Sequence, residues 1–227
     1  MMRAEVLVFD MDGVLVDVTA SYGETIRETV RRFTGREVSH EAIQDLKNAG
    51  GWNNDWELTH KLIRDAGVAV DYETVVAAFQ SLFLGSDGNG WIRRERWIPR
   101  PGLLETLARR YRMAIFTGRT HQEARLTLER FARGIPFDPV IGSDDVREGK
   151  PAPEGLLRIA ERTDASALVY VGDTVDDARA ARAARVPFVG IAATQNPRRA
   201  ELEALLSAEG AFAVLADVNE LPEVLAG

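Results

Sequence analysis

Two hydrophobic patterns divide the chain. Near its start Val6-Leu7-Val8-Phe9 is a continuous apolar run, followed by Asp10-Met11-Asp12-Gly13 and then Val14-Leu15-Val16. A Val-rich run of this kind predicts a strand buried on both faces of a parallel sheet. Over residues 19–33, Tyr22, Ile26, Val30 and Phe33 recur at helical spacing. Further helices are predicted at 40–47, 55–66 and 72–83. No strand pattern falls between Asp17 and Gly85, and Gly85-Ser86-Asp87-Gly88-Asn89-Gly90 breaks the helical pattern as a loop.

From Pro101 onward strands and helices alternate. Strands are predicted at 113–116, 140–142, 167–171 and 188–191, with one more at 211–215. Helices are predicted at 103–110, 122–131, 153–162, 177–184 and 197–207, with a short one closing the chain. Such alternation implies right-handed crossovers and a parallel sheet covered on both faces. The predicted fold is α/β: a doubly wound, Rossmann-like parallel sheet built from residues 1–16 and 98–227. An all-helical cap, residues 17–97, is inserted after the first strand and has the size of a small domain.

Composition narrows the function. A chain of 227 residues with 45% hydrophobic content has ample material for a core. Its formal charge of -7 argues against a general nucleic-acid binder. The absence of cysteine removes disulfides, thiolate nucleophiles and Cys-ligated zinc, and fits a reducing compartment. No apolar run is long enough to span a bilayer, and Met1-Met2-Arg3-Ala4-Glu5 leads straight into the first strand without a signal peptide. A soluble cytoplasmic protein without nucleic-acid or membrane partners is expected, as a monomer or homodimer.

Ligands of open α/β sheets collect at the carboxyl ends of the strands. There the first strand presents Asp10 and Asp12, the second Thr117-Gly118, and the fourth Gly172-Asp173 with Asp176 and Asp177 beyond. Lys150-Pro151 lies in a loop expected on the same edge. Buried carboxylates are costly unless paired or metal-bound. Mg²⁺ needs few protein oxygens, so Asp10 and Asp173 with one backbone carbonyl suffice. Metal and lysine together reduce repulsion between Asp10 and a phosphate dianion. Thr117, Gly118 and the next helix N-terminus would grip phosphate oxygens. Asp10 is then placed to attack phosphorus, and Asp12 to protonate the leaving alcohol and later activate water.

In these four motifs the sequence resembles the haloacid dehalogenase-like hydrolase superfamily, in its phosphatase form with an inserted helical cap. Asp10-Met11-Asp12-Gly13-Val14, Thr117-Gly118-Arg119, Lys150-Pro151 and Gly172-Asp173-Thr174-Val175-Asp176-Asp177 match its motifs in order. The resemblance implies Asp10 as nucleophile and Asp12 as general acid/base. It implies Mg²⁺ on the Asp10 side chain, the Asp12 carbonyl and Asp173, with Asp177 in or near that shell. It also implies a cap that closes over a small phosphate ester and excludes water. Asp12 itself argues against the dehalogenases, which lack it, and the phosphonatases, which usually carry a small residue there. A phosphomutase of the same family, or a non-catalytic phosphate- or metal-sensing module, are the alternatives.

The second motif departs from the Thr-Asn or Thr-Ser of many capped relatives. Arg119 either reaches a second anionic group on the substrate or pairs with a surface carboxylate. Gly50-Gly51-Trp52-Asn53-Asn54-Asp55-Trp56 is the most unusual cap segment. From it Trp52, Asn53 and Asn54 are expected to touch substrate, the alternative being a loop that opens a helix with Trp56 in the cap core. Asp176 is expected as a helix-start carboxylate, and Asp144 and Asp145 as solvated. Asp87-Gly88-Asn89-Gly90 resembles part of a calcium loop, but Arg96 stands where the bidentate glutamate belongs, so a hinge or cap loop is expected. The stretch 91–97 is expected to be the return crossing to the core.

Overall fold

The computed structural model describes residues 4–225; Met1, Met2 and Arg3, read above as leading into the first strand, lie outside them. Six parallel strands form the main sheet: β1 (Val6–Phe9), β4 (Arg112–Phe116), β5 (Phe137–Ile141), β6 (Leu168–Gly172), β7 (Phe188–Ile191) and β8 (Ala213–Leu215). Their order is β5-β4-β1-β6-β7-β8, so β1 is central, with Phe9 level with Ile115 on one side and Val171 on the other. All four β1 residues are buried, as a strand covered on both faces requires. This is a doubly wound α/β fold.

Alternate residues of β1 feed two cores. Val6 and Val8 join Leu156 and Ile159 of α7 (Glu154–Thr163), Ala178 of α8 (Val175–Ala184) and Leu202 of α9 (Arg199–Ala208). Leu7 and Phe9 join Leu104 of α5 (Leu103–Ala108), Ala124 of α6 (His121–Phe131) and Leu221 of α10 (Leu221–Leu225). The period-two alternation of a strand therefore decides which helix layer each side chain meets.

Between β1 and β4 the chain forms α1 (Glu24–Thr34), α2 (His40–Ala49), α3 (Asp55–Asp65) and α4 (Tyr72–Phe83). Ser39, Asn54 and Asp71 cap the last three with side-chain oxygens, which explains their sharp starts. These helices have their own apolar cluster, centred on Tyr22, Ile26, Leu58, Ile63, Phe79 and Phe83. The helix expected from residue 19 differs: Thr19–Gly23 is a wide turn in which the Gly23 N–H reaches Val18 O, and the α-helix begins at Glu24.

One element was not expected. The short strand β2 (Val16–Asp17) pairs antiparallel with β3 (Arg96–Trp97), and Arg96 donates to Asp17 at 2.8 Å. The two passages between the sheet and the helical block thus run side by side. Two-residue strands carry too little pattern to be legible. Among the described residues no helix is long and apolar enough to cross a membrane.

Packing against the sheet leaves no slack where α7 crosses β4. A Cβ on Gly155 would lie 2.1 Å from the ring of the buried Phe116. Alanine gains about 0.5–1 kcal/mol over glycine inside a helix, but overpacking costs about 1–3 kcal/mol. Gly155→Ala is therefore expected to lower stability, read as a lower urea midpoint at unchanged slope.

Candidate active site

The carboxyl edge of β4-β1-β6 brings the predicted residues together. Asp10 leaves β1 with its N–H bonded to Val171 O at 2.9 Å, and Thr117 leaves β4 with its N–H bonded to Ile141 O at 3.0 Å. Asp173 follows β6, and Asp177 sits in the first turn of α8, where Thr174 and Asp177 cap each other. Asp10, Asp173 and Asp177 each offer a carboxylate oxygen within 4.8 Å of the others. Two glycines make this possible. A Cβ on Gly13, whose φ is +71°, would fall 1.8 Å from Asp173 Oδ2, and one on Gly172 would fall 2.5 Å from Asp177 Cβ.

Lys150 is the cation of this cluster. Its Nζ lies 2.9 Å from Asp10 and 2.7 Å from Asp177, with the Tyr170 hydroxyl at 3.1 Å. Burial would favour the neutral amine, but the two carboxylates outweigh it and hold Lys150 charged. Asp177 is similarly buried, yet Lys150, Thr174 and Tyr170 keep its pKa below the ordinary value. Its oxygens already accept from Lys150, Tyr170, the Thr174 hydroxyl and the N–H groups of Asp173 and Thr174. Asp177 thus positions Lys150 and Asp173. Asp10 and Asp173 are left less satisfied. Burial, then repulsion from the other carboxylates, raises Asp10 to about 7 against the pull of Lys150, and raises Asp173 well above its usual range.

The Asp12 carboxylate is held by Arg119. Arg119 Nε and Nη2 lie 2.7 and 2.5 Å from Asp12 Oδ1, and Nη2 lies 2.8 Å from Glu95. Arg119 thus departs from the surface-carboxylate expectation: it is fully buried, its guanidinium lies against Asp12 and Glu95, and it also lines the cavity between the sheet edge and the helical block. Between these groups lies a cavity of about 80 Å³ bounded by Asp10, Asp12, Gly118 and Asp173 from the sheet edge, and by Lys47, Asn53, Asn54 and Trp56 from the helical block. A second opening, of about 430 Å³, is lined by Thr117, Gly118, Lys150 and Arg147 with Gly51, Asn53 and Asn54.

The cap segment divides. Asn53 closes over Gly118, its Nδ2 only 2.8 Å from where a Cβ would stand. Asn54 lines the cavity while capping α3. Trp52 does not reach the cavity: it packs on the helical cluster with Lys61 over its ring, and Trp56 takes the place expected of it. Asp176 does more than open a helix, since both its oxygens accept from Gly51 N–H at 2.9 Å. Asp144 and Asp145 tie loops by accepting from the N–H groups of His121 and Gly142.

Lys47 was missed. It lies in the last turn of α2, pairs with Asp55 at 2.9 Å and is held charged despite burial. The sequence signal for it was a cation just before the flexible Gly50-Gly51. Glu95 was hidden among Arg93, Arg94 and Arg96, where charge reads as a solvated face.

The donor set fits a hard divalent cation: three carboxylates gathered within reach of one another, with no imidazole or thiolate among them. Three carboxylates against one lysine leave an excess of negative charge that a cation would offset.

A family model for haloacid dehalogenase-like hydrolase matches residues 4–185. Imidazoleglycerol-phosphate dehydratase of Phytophthora nicotianae is 36% identical over 215 residues, covering 91% of this chain and 47% of that protein. The chain thus spans about half the length of that relative. Phosphonoacetaldehyde hydrolase of Bordetella pertussis is 29% identical over 247 residues, covering 99% of this chain and 86% of the other. A haloacid dehalogenase-like hydrolase structure from Bacteroides fragilis superposes with a TM-score of 0.77 at 22% identity, covering 96% and 100% of the two chains.

Without a cation, Asp10 in the fold keeps a proton that the unfolded chain has lost above about pH 4. Stability therefore falls as pH rises from near 3.8 toward 7. Mg²⁺ competes for the same oxygens. Saturating Mg²⁺ is expected to raise the melting temperature by roughly 5–10 °C at about pH 8, by less at about pH 5, and not at all in Asp173→Asn. Differential scanning calorimetry checks this.

Proposed function

The chain is a haloacid dehalogenase-like hydrolase, and we propose that it hydrolyses small phosphomonoesters through an aspartyl-phosphate on Asp10. One observation carries this reading: two carboxylates leave the same strand in opposite environments. Asp10 is paired to Lys150 deep in the site, and Asp12 is held by Arg119 with its side chain partly open to the cavity. The first has the surroundings of a nucleophile and the second those of a group that moves protons.

In the first step an Asp10 oxygen attacks phosphorus, the ester P–O bond breaks, and the leaving alkoxide takes a proton from Asp12. In the second step Asp12 takes a proton from water, which attacks the same phosphorus. The acyl phosphate opens, inorganic phosphate departs and Asp10 is restored. Lys150 draws Asp10 toward its ionised form and faces the incoming phosphoryl charge. The hydroxyl of Thr117 and the N–H of Gly118 grip phosphate oxygens at the second opening. Asp10 and Asp173 are the side chains that would hold Mg²⁺, which supplies the positive charge needed to bring a phosphate dianion beside a carboxylate.

Residues 17–97 act in this reading as a cap. Asn53 and Asn54 cover the phosphate side, and the charged Lys47 faces the cavity, where a second anionic or hydroxyl group of the substrate would meet it. A cavity of about 80 Å³ suits a small leaving group. An oxygen leaving group is favoured over a carbon one because the proton donor Asp12 is present. The Bordetella relative is named for a phosphonate, and nothing here transfers that substrate to this chain.

Phosphate release from a panel of small esters is expected to require Mg²⁺ and to fall by a factor of about 10³ or more in Asp10→Asn. Acid quench with radiolabelled substrate should trap label on Asp10 of the wild type. Transfer between hydroxyls of a bisphosphate without release would instead establish a mutase.

A further inference from the structure

Arg119, Thr127 and Glu95 close a buried ring for which the reaction above gives only Arg119 a task. Arg119 Nη1 donates to Thr127 Oγ1 at 2.7 Å and the Thr127 hydroxyl donates to Glu95 Oε2 at 2.7 Å. Glu95 Oε1 closes the ring as an ion pair, 2.8 Å from Arg119 Nη2 but without hydrogen-bond alignment. Thr127 is 1% exposed, Arg119 and Glu95 are as deeply buried, and the Asp12 side chain is 27% exposed. Both Arg119 nitrogens that touch Asp12 approach the same oxygen, Oδ1, so Oδ2 stays outside the ring.

The members come from separated parts of the chain. Asp12 follows β1, Arg119 and Thr127 lie in the loop and helix after β4, and Glu95 immediately precedes β3, on the passage returning from the helical block. Tyr22, near the opposite end of that block, lays its ring 5.2 Å from the Arg119 guanidinium. Both ends of the helical block therefore meet the one side chain that holds Asp12. Buried ion pairs are weak sources of stability compared with apolar packing, so a purely structural strut gains little from these charges.

We propose that Glu95 and Thr127 are positioning residues: they aim Arg119, and through it fix the Asp12 carboxylate for proton transfer, so that the passage out of the helical block sets the geometry of that step. This rests on the phosphomonoesterase reading of Asp12. A guanidinium is planar, with its donors in a rigid fork. With Nη1 bonded to Thr127 and the Glu95 charge beside Nη2, one orientation is favoured, and it presents Nε and Nη2 to Asp12. Released from either, it can rotate and take Asp12 with it.

The test compares kcat/KM for an alkyl phosphate, whose leaving group needs a proton, with kcat/KM for 4-nitrophenyl phosphate, whose leaving group does not. kcat/KM reports the step in which the leaving group departs, and the hydrolysis of the aspartyl-phosphate, common to both esters, does not enter it. Glu95→Gln leaves Arg119 paired with Asp12, so no buried cation is stranded. Thr127→Val deletes one hydroxyl at nearly constant shape, and Thr127→Ser restores it. In each of the first two variants the alkyl ester is expected to lose about tenfold to a hundredfold in kcat/KM, at least tenfold more than the aryl ester. Thr127→Ser should recover most of the loss. Thermal melts identify any variant that does not fold, and Thr127→Val is the milder change. Equal losses for the two esters would overturn the proposal and leave the phosphatase standing. Absence of phosphate release by wild type from either ester would remove the phosphatase reading and this inference together.

Discussion

The site depends on how the fold tolerates negative charge where water is scarce. Three carboxylates, Asp10, Asp173 and Asp177, approach within 4.8 Å at the carboxyl ends of β1 and β6, strands that are buried throughout. Like charges in such a setting raise one another's pKa unless cations or hydrogen bonds intervene. Asp177 is relieved by Lys150, Tyr170 and Thr174, and in return it holds Lys150 beside Asp10. The glycines at 13 and 172 exist in this account for contact, because side chains there would occupy the space of Asp173 and Asp177. Asp10, paired with Lys150 alone, and Asp173 are left with the least relief, and the proposed function would bring a cation and a phosphoryl group to them.

The same economy of charge extends to the helical block. Several of its contacts with the sheet unit are polar, Gly51 to Asp176, Gln80 to Glu123 and Arg198 to Asp45, beside apolar ones such as Leu126 on the helical cluster and Trp97 stacked on Phe131. Each polar contact can be exchanged for water at small cost, as interfaces within a chain often allow when they must part. Asn53 over Gly118 and Lys47 beside the cavity place the block where it can exclude water from Asp10.

Much of the fold was legible because its signals are local. The helix over Tyr72–Phe83 and the strand over Phe188–Ile191 were read to the residue, each from periodicity and a bounding turn or cap. The four motif segments were legible only together: each alone is ordinary turn or loop chemistry, but four in order at strand ends and the adjoining loop point to a site at the carboxyl edge. The start of the first helix was misread because a wide turn at Thr19–Gly23 keeps a helical spacing of apolar residues without α-helical bonding. The β2–β3 pair escaped because two residues carry no period.

What the sequence alone determined was the inventory: a Rossmann-like order of elements, and the chemical types standing at each strand end. Both follow from interactions between near neighbours along the chain, and those leave a pattern. Only the tertiary structure decided which charge meets which. Arg119 and Asp12, 107 positions apart, become partners, Glu95 and Thr127 complete their ring, Lys47 turns toward the cavity and Trp52 turns away from it. A charge's role is set by distance and by how much water remains between partners, and neither quantity is written in the spacing of residues along a chain.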